Sequence, residues 1–269
     1  MAVEDFIAAR LRVMSVTMLP LYRAIVLAVL TTLPLAVQAA VGTAKMPPDQ
    51  AHYRRCLDAS SANPASALGD AESWVKAGGG VPADHCAALA LVSLHRYAEA
   101  GARLDRLAGL RDAQSAEFRV SLFDQAGNAW LLAGDGARAV QSFSNALTLS
   151  AGDADLFADL ARAQAMVRNW HEVDLDLNAA LQISPRRADL LVLRASARRA
   201  LKHYEEARGD IEMALKLKPG DSDALVERGL LRKEIGDIGG ARRDFQAALQ
   251  NARSPAAAEA RENLDALKP

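Results

Sequence analysis

Two cysteines and two histidines in the first third of the chain are the residues whose types and spacing allow chemistry. His52 and Cys56 are four residues apart and would share one face of a helix, and His85 directly precedes Cys86. Thiolates and imidazoles are zinc ligands, so the four side chains could hold a metal ion. Adjacent helical residues point about 100° apart, however, so His85 and Cys86 would not converge on one ion. This geometry disfavours a metal site and leaves a Cys56–Cys86 disulfide or free thiols.

Further catalytic chemistry is sparse. The five histidines are scattered, and none belongs to a zinc-protease, dithiol or hydrolase motif. The glycine triplet at residues 78–80 lacks the Lys-Ser/Thr that follows a phosphate-binding loop, and we expect it to end a helix. We therefore expect no catalytic residues, no cofactor and no enzyme activity.

Composition and charge favour a helical protein and give no sign of an anionic partner. The 269 residues are 51% hydrophobic but only 5% aromatic, which suits helices packed through small side chains. The formal net charge is −1, so nothing in the charge balance indicates nucleic acid or an anionic membrane surface as a partner.

An internal repeat with a period of 34 residues organises the second half of the chain. The second half of each repeat carries two characteristic residues. One is a smaller residue, at Ala139, Val173, Ala207 and Ala241, and the other is a large apolar residue, at Phe143, Leu177, Ile211 and Phe245. The first halves of the four successive repeats read Phe123-x2-Ala126-Gly127-x2-Trp130, Phe157-x2-Leu160-Ala161, Leu191-x2-Arg194-Ala195 and Leu225-x2-Arg228-Gly229. This pattern resembles the tetratricopeptide repeat, although Arg198 and Arg232 replace its aromatic residue and Ala151 and Arg253 its proline.

The resemblance implies an all-α fold: an α-α superhelix, that is, a right-handed solenoid of helical hairpins with a C-terminal capping helix. We expect degenerate repeats at residues 50–119, with an insertion at 111–119, four regular repeats at 120–255, and the cap at 256–269. The cap should expose a polar face, which carries Glu259, Arg261, Glu262 and Asp265. First helices of adjacent repeats run side by side in this family, which would bring Cys56 next to Cys86. If the chain is exported, the resemblance therefore favours a Cys56–Cys86 disulfide over free thiols and over a metal site.

The family also uses the concave surface, lined by the first helices, to bind segments of other proteins. By position this groove comprises Asp124, Asn128, Leu131, Asp155, Arg162, Ala165, Asp189, Val192, Ser196, Arg199, Asp223, Val226, Leu230 and Lys233. Family members that clamp a terminal carboxylate carry Lys four residues before Asn, whereas Asp124 precedes Asn128 here. The resemblance thus implies an unidentified protein partner; the alternative is a solvated surface without a partner.

Charged residues inside the repeats need partners, because a half-buried charge is costly when unpaired. Asp176 and Asp210 precede the large apolar residue of their second helices, and Arg194 and Arg228 lie in first helices. We predict pairing to the following repeat, Asp176 with Arg194 and Asp210 with Arg228, because pairing within a repeat would leave Asp176 opposite Leu160. The basic run at residues 186–202 is then structural.

Residues 1–40 resemble an export signal, followed by a linker at 41–49. Arg23 precedes an apolar run at 24–37, and Gln38-Ala39-Ala40 follows it as a small-residue cleavage pattern. The run is shorter than the roughly 20 residues of a spanning helix, so we favour a cleaved signal over a retained membrane anchor. We expect a periplasmic or secreted bacterial protein that acts as an interaction scaffold. The alternatives are an inner-membrane-tethered adaptor and an exported metal- or small-ligand-binding protein.

Overall fold

The computed structural model describes residues 48–110, 115–250 and 254–267, and these residues form α-helices joined by short turns. The helices are α1 Pro48–Ala62, α2 Pro64–Lys76, α3 Gly80–Ser93, α4 Tyr97–Gly109, α5 Ala116–Leu132, α6 Gly136–Leu149, α7 Ala154–Met166, α8 Trp170–Ile183, α9 Ala188–Ala200, α10 Tyr204–Leu217, α11 Ser222–Glu234, α12 Ile238–Ala248 and α13 Pro255–Ala266. The predicted signal or anchor lies outside the described residues, as does the linker up to residue 47. Within the described ranges, no helix combines the length and apolar character of a membrane span.

The helices pack as a linear series of hairpins. Each helix contacts the next one along the chain, from the α1–α2 hairpin to the α11–α12 hairpin, and α13 packs on the last of them. The predicted all-α solenoid is confirmed. Helix α5 begins at Ala116, so the connection that precedes it is shorter than the predicted insertion.

A repeated C-terminal motif ends the first helix of the later hairpins. After α9, the amide of Lys202 donates to the Arg199 carbonyl (2.9 Å), and the amide of His203 donates to the Arg198 carbonyl (2.8 Å). This Schellman pattern places one residue in the left-handed region. Gly134 and Gly236 hold that place after α5 and α11, whereas Arg168 and Lys202 hold it after α7 and α9.

Replacing Lys202 by glycine should stabilise the protein. The φ of Lys202 is +64°, where an L side chain costs roughly 1 kcal/mol that glycine avoids. We expect Lys202→Gly to raise the free energy of unfolding by about 0.5–1 kcal/mol, measured by urea denaturation. Lys216→Gly, at an exposed position inside α10, is the control and should lower it by about the same amount. An equal loss in both variants would contradict the prediction.

The core repeats with the same period as the sequence. Phe143, Leu177, Ile211 and Phe245 are all fully buried, each in the second helix of its hairpin. Opposite the two rings the first helices carry glycine: a Cβ on Gly127 would lie 2.6 Å from the Phe143 ring, and one on Gly229 would lie 2.5 Å from the Phe245 ring. The hairpins with Leu177 and Ile211 carry alanine at that place instead, at Ala161 and Ala195. Within each hairpin the size of the buried side chain is therefore matched to the residue opposite: phenylalanine faces glycine, and leucine or isoleucine faces alanine.

Helix α13 closes the C-terminal end of this core. Ala256, Ala257 and Ala260 are buried against the last hairpin, with Leu264 beside them. Arg261, Glu262 and Asp265, in contrast, are exposed. The terminal helix therefore has the apolar inner face and polar outer face expected of a cap.

The predicted pairing of Asp210 with Arg228 is wrong, because Asp210 pairs within its own hairpin. Arg194 donates to Asp210 through Nε and Nη2 at 2.9 and 2.5 Å, and Arg198 Nη1 donates to it at 2.9 Å. Arg228 instead donates to Asp244, the equivalent carboxylate of its own hairpin, at 3.0 and 2.7 Å. The reason is geometric: the two antiparallel helices of one hairpin face each other, which sets arginine and aspartate sixteen residues apart in both cases.

The predicted pairing of Asp176 with Arg194 is also wrong. Arg194 uses its remaining nitrogen to donate to Asn178 (2.6 Å), not to Asp176. The Asp176 hairpin has Leu160 and Gln164 at the two places that arginines hold in the next hairpins. Asp176 Oδ2 is consequently buried without a hydrogen-bond donor.

Candidate protein-binding groove

The first helices of the hairpins form the inner layer of the solenoid. Helix α1 contacts α3, α5 contacts α7, α9 contacts α11, and α11 contacts α13, whereas the second helices pack chiefly on first helices. The layer in which successive helices approach each other is the shorter, concave side of a curved array. The predicted groove residues lie on this layer, because all of them belong to α5, α7, α9 or α11.

The groove is open and acidic between α5 and α7. Asp124 and Asn128 on α5 are half-buried and joined by a hydrogen bond of 3.0 Å. On α7, Asp155 is exposed, and Arg162 donates to Asp159, an aspartate that the sequence reasoning did not include. The four predicted residues Asp124, Asn128, Asp155 and Arg162 therefore lie together on an accessible surface.

The carboxylates of this surface are held close to one another. Burial, followed by the negative charges of Asp159 and Asp153, raises the pKa of Asp124 to about 7. Burial also raises the pKa of Asp159, although Arg162 opposes the shift. Because the fold imposes this repulsion, a cationic group placed between α5 and α7 would relieve it.

One further arginine borders the same surface. Arg187, in the turn before α9, donates to Asp155 at 2.9 Å and to Asp189 at 2.8 and 2.9 Å. Asp189 was predicted to line the groove, and Arg187 holds the pKa of its carboxyl below the usual range against the opposing effect of burial. Arg187 thus closes the acidic surface on the side of α9.

The groove is filled by the protein's own side chains between α9 and α11. Arg199 Nε donates to Glu227 at 2.5 Å, and Arg199 is 7% exposed while Glu227 is fully buried. The predicted contact residues Val192, Ser196, Arg199 and Val226 of α9 and α11 are all buried, and so are Leu131 on α5 and Ala165 on α7. In this structure these six residues offer almost no surface to a partner, in contrast to the prediction.

At the C-terminal end two predicted residues stay accessible. Leu230 and Lys233 of α11 are half-buried, and Lys233 Nζ donates to the Asn263 side chain of α13 at 3.1 Å. The inner layer therefore has an open acidic part at α5–α7, a filled part at α9–α11, and a short basic end at the cap.

The predicted disulfide joins the first two hairpins. Cys56 on α1 and Cys86 on α3 are bonded, with their Cα atoms 6.1 Å apart, and both are buried. The histidines of the alternative metal site have other partners: His52 stacks on Trp74 with ring centroids 4.0 Å apart, and His85 lies in a hydrogen-bonded chain. The thiolates that a metal would need are thus consumed by the bridge, and no cluster of metal-ligating side chains occurs among the described residues.

His85 connects three first helices, which the sequence reasoning missed. Gln125 on α5 donates through Nε2 to Ser121, so its Oε1 accepts from His85 Nε2 at 2.8 Å. Nδ1 of His85 then accepts from the Tyr53 hydroxyl on α1. Burial lowers the pKa of His85, which keeps the imidazole neutral and this arrangement intact.

These features define a solenoid of helical hairpins with a partly open concave groove. Residues 193–265 match the family model of the tetratricopeptide repeat. The 34-residue sequence period and the stacked hairpins agree with this match, and they indicate tetratricopeptide repeats in this part of the chain. No curated protein matches the sequence.

Solved structures of similar fold are tetratricopeptide-repeat proteins of low sequence identity. A crystal structure of MamA is 17% identical with a TM-score of 0.53, covering 61% of this chain and 92% of that one. YrrB, described as a tetratricopeptide-repeat protein with an unusual peptide-binding site, is 16% identical with a TM-score of 0.53, covering 71% and 96%. MamA from Desulfovibrio magneticus RS-1 has the same identity and TM-score and covers 78% and 99%. At these identities the likeness concerns the fold.

Proposed function

We propose that this protein is a non-catalytic interaction scaffold of the bacterial cell envelope, which binds a partner segment on the concave surface of α5 and α7. The observation that carries the proposal is the contrast along the inner layer: the groove is open and polar at α5–α7 but filled at α9–α11. Tetratricopeptide arrays leave a curved surface free for other proteins, and YrrB, of similar fold, is described as having a peptide-binding site.

The charge of the open surface favours a partner segment that carries lysine or arginine. Three carboxylates lie together on this surface, those of Asp124, Asp155 and Asp159. The guanidinium groups of Arg162 and Arg187 lie beside them. A basic side chain from the partner would reduce the repulsion that burial has strengthened. Association should therefore weaken as the salt concentration rises.

An envelope location agrees with two features of the N-terminal part. The apolar run at residues 24–37 with its small-residue flank is typical of an export signal. Disulfides such as Cys56–Cys86 persist in oxidising compartments. Sequencing the N-terminus of the mature protein tests this part: a start near Ala40 supports secretion, and a start at or before Met18 supports a membrane tether.

Site-specific photo-crosslinking in the native cells tests the groove. A photoreactive residue at Asn128, on the inner surface, should label a distinct protein, whereas one at Gln141, exposed on α6, should not. We expect Asp155→Lys to reduce the Asn128 labelling several-fold, because it adds a positive charge where a basic segment binds. Glu212→Lys is the matched control on exposed α10 and should leave it unchanged. Equal labelling from both positions, or equal effects of the two lysines, would contradict the proposal.

A further inference from the structure

Asp176 is a charged residue for which the fold supplies no partner. It lies on α8 immediately before the buried Leu177, at the place that Asp210 and Asp244 hold in the following hairpins. Those two carboxylates each accept hydrogen bonds from two arginines of their own first helix. Asp176 is half-buried, but its Oδ2 atom is out of contact with solvent and accepts no hydrogen bond.

The groups that face Asp176 explain why it stays unpaired. Helix α8 packs against α7 and α9. From α7, Leu160 and Gln164 stand at the arginine places, while the charged residues of that helix, Asp155, Asp159 and Arg162, belong to the groove. From α9, Arg194 and Arg198 are engaged by Asp210, Asn178 and Asp174. On α8 itself Glu172 acts on Asp176 with a charge of the same sign.

We propose that the α7–α8 hairpin is a proton-sensitive element of the solenoid, which opens more readily when the Asp176 carboxylate is ionised. A neutral carboxyl fits a site without a cation, whereas a carboxylate there has one oxygen without hydration and lacks a counter-charge. The same hairpin presents Asp155, Asp159 and Arg162, so its opening also loosens the open part of the groove. The inference stands independently of whether the groove binds a partner.

The direction of the pH effect follows from the shift. Burial, with a smaller effect from Glu172, raises the pKa of Asp176 to about 7, above the value of about 3.9 for an exposed aspartate. The folded hairpin therefore binds the proton more tightly than the open one, and its stability falls as pH rises from about 4 to about 7. Between pH 6 and pH 8 the equilibrium constant for opening the hairpin should rise by up to about tenfold. Solvent screening of the half-buried Asp176 reduces this effect.

Hydrogen exchange of the full chain, with its disulfide intact, tests the proposal at pH 6 and pH 8. Exchange rates of α7 and α8 amides are divided by the intrinsic rates of the unfolded chain at each pH, which leaves the opening equilibrium. We expect the ratio of the opening equilibrium constants, wild type over Asp176→Asn, to be up to about tenfold larger at pH 8 than at pH 6, because only the wild type loses the Asp176 proton from the folded hairpin in this range. Asp124 and Asp159 remain in both proteins, so their titration cancels from the comparison.

A second variant supplies the missing partner instead of removing the charge. Gln164 corresponds to Arg198 and Arg232, whose Nη1 atoms reach the equivalent carboxylates at 2.9 and 2.7 Å. Gln164→Arg should therefore slow exchange of the hairpin at pH 8 relative to wild type, by stabilising the ionised form. Asp210→Asn is the control and should speed exchange of α9–α10 at both pH values. A ratio of wild type over Asp176→Asn that is the same at pH 6 and pH 8, or larger at pH 6, would overturn the proposal.

Discussion

Gly229→Ala is expected to lower the free energy of unfolding by about 2–3 kcal/mol, although alanine is the better helix former. The added Cβ would lie 2.5 Å from the fully buried Phe245 ring, so the ring or one of the two helices must move. Gly209 on α10 provides the matched control, because nothing lies within 4 Å of a Cβ placed there. Gly209→Ala should raise the free energy of unfolding by about 0.5–1 kcal/mol. Urea denaturation measures both, and a gain in both variants would contradict the steric argument.

The cause of the Gly229 effect can be isolated by shrinking the ring. Phe245→Leu alone should cost about 1–3 kcal/mol, because it leaves a cavity in the core. Gly229→Ala with Phe245→Leu recreates the combination of Ala161 with Leu177 seen two hairpins earlier. The double variant should therefore be more stable than the sum of the single effects by at least about 1 kcal/mol. Strictly additive effects would show that the close contact is not the cause.

Asp210→Ala is expected to lower the free energy of unfolding by about 3–5 kcal/mol. Asp210 is 5% exposed and neutralises Arg194 and Arg198, whose guanidinium groups are largely buried with it. Removing the carboxylate leaves Arg194 without an anionic partner and facing Arg198, which keeps only Asp174. Glu205→Ala, which removes the exposed partner of Arg208, is the control and should change stability by less than about 0.5 kcal/mol.

Replacing the whole Asp210 cluster should cost far less than breaking it. Asp210→Leu combined with Arg194→Met, Arg198→Met and Asp174→Asn removes all four charges, including that of Asp174, the second partner of Arg198, and fills similar volume. Such a replacement is typically neutral or stabilising for a buried ion cluster. A quadruple variant as unstable as Asp210→Ala would show that the cluster contributes more than mutual neutralisation.

The architecture was predictable because its determinants are local and periodic. A small residue such as Ala207 and a large one such as Ile211, repeated every 34 residues, place the two helices of a hairpin and stack equivalent hairpins. The Cys56–Cys86 bridge followed from the same register, since side-by-side first helices bring the two residues together. Part of the groove was predictable for this reason: Asp124 and Arg162 lie on the accessible inner surface.

The charge pairing and the filled groove were not predictable from the pattern. Requiring every carboxylate to have a partner led to the wrong pairing of Asp210 with Arg228, because the chain tolerates an unpaired Asp176. Likewise, Val192 and Val226 hold groove positions by register but are buried, since adjacent first helices approach closely there. A position in the repeat says which way a side chain points, but not what already occupies the space in front of it.

The sequence by itself determined the hairpins, their stacking order and the N-terminal bridge, because short-range periodicity and fixed helix geometry specify them. Only the tertiary structure decided which arginine reaches which aspartate, where the concave surface is open, and that Asp176 is left without a cation. These outcomes depend on distances of a few ångströms between helices. Side-chain length and local packing set such distances, and the period of the sequence does not.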